Sequence, residues 1–167
     1  MLNIYIYVLF YCLCSLYSDS TTQHRAELIA SQFVHAYYNA LANDTNNLYT
    51  FYEDDSDMLR VEDDEHTHTI HTGQLEIHNK VTAGNLVNCK VKVDTCDAAL
   101  SHGDSVIVLV SGMIQLSGTS PRGFIQNFVL VPAQPSGTTP RYYIRNDIFR
   151  YTVKPAVPVQ QSHATPA

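Results

Sequence analysis

The sequence predicts an α+β fold, with helices gathered on one face of a curved antiparallel sheet. Two observations carry that expectation. Apolar residues recur at helical spacing through much of the first half and at a spacing of two after Gly84. The later, strand-like runs are joined by hairpin-length stretches rich in Gly, Pro, Ser and Thr.

The first helix is "HRAELIASQFVHAYYNALAN", in which Ile29, Phe33, Ala36, Tyr37, Ala40 and Leu41 share a face and Thr21 or Thr22 caps the start. Asn43 to Asn47 is a turn. Thr45 then caps a short second helix carrying Leu48, Phe51 and Tyr52, and the helical hairpin brings Phe33 towards Phe51. Residues 57–61 read as a short strand and residues 62–69 as an acidic, solvated loop. "QLEIHNKV" is a third helix with Leu75, Ile77 and Val81 on its apolar face.

Beyond Gly84, Val87, Cys89, Val91 and Val93 alternate, and "DSVIVLVSGMIQL", "GFIQNFVLVP" and "RYYIRNDIFRY" are long strands. The last breaks phase. Tyr142 and Ile144 lie on one face, while Phe149 and Tyr151 fall on the other if the alternation is unbroken. One extra residue at Asn146-Asp147, a β-bulge, returns all four to one face and bends the sheet. Asp147 is expected to bond backbone amides in that bulge. Val108, Val110, Phe128, Leu130 and Phe149 are candidates for the two sheet faces, whose assignment the sequence leaves open. A face the helices do not cover calls for a second copy, so a homodimer is expected.

At 167 residues, 45% of them apolar, the chain suits one domain with a real core. The net charge of −6 is concentrated: residues 53–65 hold eight of the sixteen acids and a single base, Arg60. The remainder is near neutral and lacks the Lys/Arg stripe of a phosphate-backbone binder. Four cysteines at these spacings make neither a disulfide framework nor a zinc pattern, which favours reduced thiols and a cytosolic compartment. His66, His68 and His71 include a His-x-His pair that suits zinc, but on a solvated loop they read as free histidines, so no metal is expected.

Residues 1–22 form an N-terminal extension, 23–154 the domain, and 155–167 a tail low in large apolar residues that is expected to be disordered. Within the extension, "MLNIYIYVLFYCLCSLY" is open to three readings: a signal peptide without its basic region, a short tyrosine-rich membrane span, or a divergent or wrongly called start. Secretion or membrane anchoring therefore stays open. The sequon Asn43-Asp44-Thr45 would carry glycan in a secreted chain.

Six segments, "FVHAYYNAL", "LYTFY", "GQLEIHNKV", "NCKVKVDTCDA", "FIQNFVLVP" and "YYIRNDIFRY", resemble in this order the nuclear transport factor 2-like domain. They are most similar to the domain that begins the Ras-GTPase-activating-protein-binding stress-granule proteins, the Rasputin family. The resemblance runs from about Ala26 to Tyr151. It implies a cone-shaped fold of three helices on a curved antiparallel sheet, homodimerisation through that sheet, and a groove for short Phe-containing motifs of the Phe-Gly-Asp-Phe or Phe-x-Phe-Gly type. Carried onto this chain, the groove residues are Leu28, Ile29, Phe33, Phe51, Arg141 and Tyr142. The family has Phe where Tyr142 stands, Gln where Ala36 stands and His where Tyr49 stands.

The implied role is a non-enzymatic interaction module in ribonucleoprotein or stress-granule assembly, cytoplasmic, with a nuclear location as the alternative. RNA would be reached only indirectly, or through modules outside these residues. A second reading is a nuclear transport factor binding the small GTPase Ran and Phe-Gly nucleoporins. A third is an isomerase or dehydratase, which needs a carboxylate and Tyr or His donors converging in the cone. The strands offer mostly apolar inward residues, so no catalytic residue, cofactor or small-molecule substrate is expected.

Overall fold

The computed structural model describes residues 20–61, 68–84, 86, 88–133 and 141–152. Most of the N-terminal extension, the tail, His66 and most of the loop before residue 141 lie outside the described residues. The order is α1 (Ser20–Asn43), a 3-10 helix (Thr45–Phe51), β1 (Tyr52–Val61), β2 (His68–Thr72), α2 (Gly73–Ala83), β3 (Lys90–Leu100), β4 (Val106–Gln115), β5 (Arg122–Pro132) and β6 (Tyr142–Tyr151), with one further short 3-10 turn between β3 and β4. None of the described helices is long and apolar enough to cross a membrane.

The six strands form one sheet in the order β2-β1-β6-β5-β4-β3. It is mixed rather than purely antiparallel, because β1 runs parallel to β6 while every other neighbour is antiparallel. Hairpin reasoning covers strands adjacent in sequence. It does not reach β1 and β6, the first and last long strands, which meet only when the sheet closes.

Several local expectations shift. Thr21 and Thr22 lie inside α1 rather than capping it. Thr45 does not cap the second helix: its hydroxyl donates back to Leu41 O at 2.9 Å, tying the 3-10 helix to the end of α1. Tyr52 belongs to β1, which is twice the length expected, and His68 and Thr69 belong to β2 instead of a loop. On α1 the buried stripe is Ala26, Ala30, Val34, Tyr37, Tyr38 and Leu41, while Ala36 is exposed. Leu75 is exposed too, and Ile77 and Val81 alone anchor α2.

Three register shifts interrupt the sheet among the described residues; one lies in β1 between Tyr52 and Asp57, opposite β6. In β6 the extra residue is Arg145, since Leu130 faces Ile144 and Val129 faces Asn146. This is one position before the expected site, and the consequence is the expected one: Tyr142, Ile144, Phe149 and Tyr151 all pack on the inner side. Arg145 turns its guanidinium to Asp57 (2.9 Å) and Asp55 (3.4 Å) on β1. In β3 the extra residue is Asp94, and Val93 pairs with Gly112. A Cβ at Gly112 would collide with the Lys92 carbonyl and press on the Phe124 ring, so only glycine lets β3 approach β4 there.

The inner face of the sheet carries Val106, Val108, Val110, Ile114, Phe124, Phe128, Leu130 and Ile144 and is closed by α1, the 3-10 helix and α2. All five face candidates, Val108, Val110, Phe128, Leu130 and Phe149, lie on this side. The outer face is lined instead by Ile107, Leu109, Met113, Ile125 and Ile148, between 36% and 45% exposed.

Candidate functional site

Three helical turns of α1 build one edge of the candidate groove. Arg25, Ile29 and Phe33 are spaced four residues apart and therefore lie along one stripe. Ile29 and Phe33 are half-buried against the core, whereas Leu28 sits off the stripe and is 51% exposed. Phe51, at the end of the 3-10 helix, meets Phe33 edge-on with ring centroids 6.1 Å apart. Phe33 also packs on Phe128 at 4.9 Å, and Phe51 on Tyr37 at 5.7 Å, so each ring has one side on the core.

Tyr142 enters from the start of β6. Its ring packs on the core, and its hydroxyl accepts from Arg25 Nη2 at 3.2 Å. Arg25 Nη1 donates to Asp104 Oδ1 at 3.2 Å. Asp104 follows Gly103 in the turn between β3 and β4, both with positive φ (61° and 64°), which aims the carboxylate back at the helix. Arg141 is exposed and paired with Glu53 at 2.6 Å. Of the other two positions at which the chain differs from the family, Ala36 faces solvent and Tyr49 meets the His78 ring edge-on at 5.1 Å.

The inside of the cone holds a polar cluster that the sequence reasoning missed. Asp147 is fully buried, and side chains rather than backbone amides satisfy it. Oδ2 accepts from Tyr52 Oη (2.8 Å), Arg60 Nη2 (3.0 Å) and Tyr37 Oη (3.4 Å), and Oδ1 from Gln126 Nε2 (2.8 Å) and Arg60 Nη1 (3.2 Å). Tyr38 Oη donates to Gln126 Oε1 at 2.9 Å, extending the network. A signal was present: once the bulge restores the phase of β6, Asp147 lies inward between Ile144 and Phe149. Gln126 likewise shares its phase with Phe124 and Phe128.

Burial, reinforced by the Asp147 charge, pushes the Tyr37 phenol up to about 12. Burial likewise holds Tyr52 and Tyr38 well above the ordinary tyrosine value. Burial is the largest single influence on Arg60 and opposes its charge, but Asp147 together with the Tyr37 and Tyr52 phenols outweighs it and keeps the guanidinium firmly protonated. Beside the cluster opens a cavity of about 160 Å³, walled by Leu41, Val81, Leu86, Ile114, Phe149 and Tyr151, with Arg60, Gln126 and Tyr37 at its polar side. Asp147 does not line it. The described residues hold no group of three or more His, Cys, Asp or Glu able to bind a metal. Cys89 and Cys96 are unpaired thiols, each raised to about 11 by burial.

The sequence profile of the nuclear transport factor 2 (NTF2) domain matches residues 29–151. The chain belongs to the NTF2 domain family. It is 35% identical over 123 residues to a G3BP-like protein of Schizosaccharomyces pombe, covering 74% of this chain and 27% of that one. The chain thus spans about a quarter of that relative. Among solved structures it is similar to the yeast UBP3-associated protein BRE5, at 25% identity and a TM-score of 0.64 over 74% of this chain and 94% of that one. Similar too is NTF2 from Cryptosporidium parvum, at 26% identity and a TM-score of 0.67 over 79% and 98% of the two chains.

In this NTF2 domain the buried ion pair is a two-sided constraint. Asp147→Asn leaves the Arg60 guanidinium uncompensated inside the cone and should destabilise the fold by about 3–5 kcal/mol in urea unfolding. Arg60→Met/Asp147→Asn should recover part of that loss, because no charge is then stranded.

The tyrosines give the pH dependence a sign. A phenol whose value is raised in the fold favours the fold in its neutral form. That contribution is complete below pH 10, the ordinary value, and lost as pH climbs through about 12 for Tyr37. In an alkaline titration followed by tyrosinate absorbance, Tyr37, Tyr38 and Tyr52 should ionise only together with the loss of the circular dichroism signal, after the exposed tyrosines.

Proposed function

We propose that this NTF2 domain is a non-catalytic, dimeric interaction module that binds short phenylalanine-containing motifs, acting in the assembly of ribonucleoprotein granules in the cytoplasm. The observation that carries this reading is the Phe33–Phe51 pair, two rings from different helices, each partly buried and fixed from behind by the core. A preformed aromatic edge costs a peptide little ordering entropy on the protein side. The similarity to a G3BP-like protein supports the same role. The chemistry of the cone favours a structural use. Asp147 accepts five hydrogen bonds, two of them from Arg60, and offers no free lone pair directed at the cavity, which a general base requires.

A nuclear transport role, binding a small GTPase and Phe-Gly nucleoporins, is the second reading, supported by the likeness to NTF2 of Cryptosporidium parvum. Titration with a Phe-Gly-Asp-Phe peptide beside a pull-down with Ran-GDP separates the two. On the first reading the peptide binds, Ran-GDP does not, and Phe33→Ala weakens the peptide by on the order of 2 kcal/mol, or about 30-fold. Because Phe33 also touches Phe128, the variant is first checked for folding, and Phe51→Leu serves as a milder second probe. Unchanged affinity in both folded variants would remove the groove from this account.

Dimerisation rests on the outer sheet face. Register places Leu109 and Ile148 on either side of Asn127, with Ile107, Met113 and Ile125 in neighbouring rows, an apolar-rich surface across three strands with Asn127 and Ser111 among its apolar residues. Avidity from two grooves would strengthen motifs that bind weakly alone. Light scattering at micromolar concentration should give a dimer, and Ile148→Lys, at a 45% exposed position, should give a folded monomer. A monomeric wild type would refute the dimer.

A further inference from the structure

The turn between β4 and β5, "LSGTSPR", is fastened at one end and open at the other. Thr119 N and Oγ1 both donate to Leu116 O, at 3.1 and 3.0 Å, and Gln115 Nε2 donates to Thr119 O at 2.9 Å. Those contacts end at Thr119. Ser120 and Pro121 are exposed, and the Ser120 hydroxyl makes no hydrogen bond among the described residues. Next along the chain, Arg122 lays its guanidinium on the Tyr151 ring, 3.7 Å from the centroid. We propose that Ser120 is a phosphorylation site for a proline-directed kinase, and that Arg122 leaves the Tyr151 ring to bind the phosphate.

The backbone presents the hydroxyl. A residue before proline is held in an extended conformation, and Pro121 fixes its own φ, so residues 120–122 run directly into β5. A kinase binds its substrate as an extended segment. Arg122, opposite Ile114, is the first paired residue of β5, so presenting Ser120 breaks no strand pairing.

The same extension aims the phosphate. Side chains at positions 120 and 122 point to one side of the chain, with Cα atoms roughly 6–7 Å apart, a gap that an arginine side chain spans. A phosphoserine brings close to two negative charges and three acceptor oxygens, which match a guanidinium in a bidentate pair. That pair is stronger than a cation–π contact at a partly exposed site, so the phosphate takes Arg122 from the ring. Local charge favours it as well. Residues 115–123 include no acid, and register sets Lys90 opposite Gln115 at the base of the turn.

The consequence reaches the interior. Tyr151 meets Phe149 edge-on at 5.0 Å and, with Leu116, walls the cavity beside the polar cluster. Departure of the guanidinium uncovers one face of that ring, so a charge added at the turn is felt at the cavity wall. In the transfer itself, Ser120 Oγ bonds to the γ-phosphorus of ATP as the bond to the β–γ bridging oxygen breaks. ADP departs, and the hydroxyl proton passes to a base of the kinase.

Thr139 and Thr165 also precede proline, so the test uses the intact chain carrying Thr139→Ala and Thr165→Ala, with a purified proline-directed kinase and Mg-ATP. Tandem mass spectrometry should place one phosphate on Ser120, and Ser120→Ala or Pro121→Ala should abolish it. In a phosphorus NMR titration the second pKa of the phosphate should lie about half a pH unit lower than in phosphorylated Arg122→Gln, the size of shift that an exposed pair gives. With labelled tyrosine, assigned through Tyr151→Phe, the Tyr151 ring signal should move on phosphorylation. Arg122→Gln should move it in the same direction without phosphate. Circular dichroism verifies the fold of each variant.

A folded chain that stays unmodified while a peptide of residues 115–123 is phosphorylated overturns the site. Incorporation that begins only after thermal unfolding overturns it too. Phosphate on Ser120 with the same titration midpoint with and without Arg122, or with an unmoved Tyr151 ring, overturns its capture by Arg122.

Discussion

The structure depends on one buried ion pair. Asp147 on β6 and Arg60 on β1 meet inside an otherwise apolar cone, and neither charge tolerates that position alone. The pair is acceptable because the carboxylate is saturated. Tyr37 of α1, Tyr52 of β1 and Gln126 of β5 complete its shell. Four elements from across the sequence are thereby fixed to one point. A fully satisfied polar network of this kind contributes uniqueness more than net stability, since shifting any member leaves a desolvated group unpaired. The parallel β1–β6 pairing brings Arg60 beside Asp147, and the bulge at Arg145 turns Asp147 inward.

The same bulge separates the two faces of the sheet. Before it, Tyr142 and Ile144 face the helices; after it, Asp147, Phe149 and Tyr151 do, while Ile148 joins the outer apolar rows. The inner side is thus polar at its centre and apolar around it. The outer side combines apolar strand centres with the ion pairs of Arg145 to Asp55 and Asp57 towards β1. A polar cluster that is already fully paired leaves little for acid–base chemistry. Outside the cone, the apolar rows of the outer sheet face are exposed and the aromatic edge between α1 and the 3-10 helix is partly so.

That edge depends on a tight connection. Thr45 bonds back to Leu41, Asp44 N bonds to Ala40 O, and Leu48 is fully buried, so the 3-10 helix turns sharply against the end of α1 and delivers Phe51 to Phe33. The exposed ion pairs of Arg25 and Arg141 surround the Tyr142 end without burying a charge. The edge therefore joins a rigid apolar part to exposed ion pairs.

Sequence alone determined the fold class, the three helices, the three long hairpin strands and the need for a bulge in "RYYIRNDIFRY". Each is a local matter of side-chain period, and period is written in neighbouring residues. It also pointed to Phe33 and Phe51, through helical spacing and family resemblance. Tertiary structure alone decided the parallel β1–β6 pair, the strand character of His68 and Thr69, and the inward position of Val108, Val110, Phe128, Leu130 and Phe149. It alone gave Asp147 its partners and Arg25 its place beside Tyr142. These depend on residues 87 and 117 positions apart, as in Arg60–Asp147 and Arg25–Tyr142. A polar residue in a strand carries no local mark of what it will face. Only the closed cone, where a buried charge must find its counterpart, settles that.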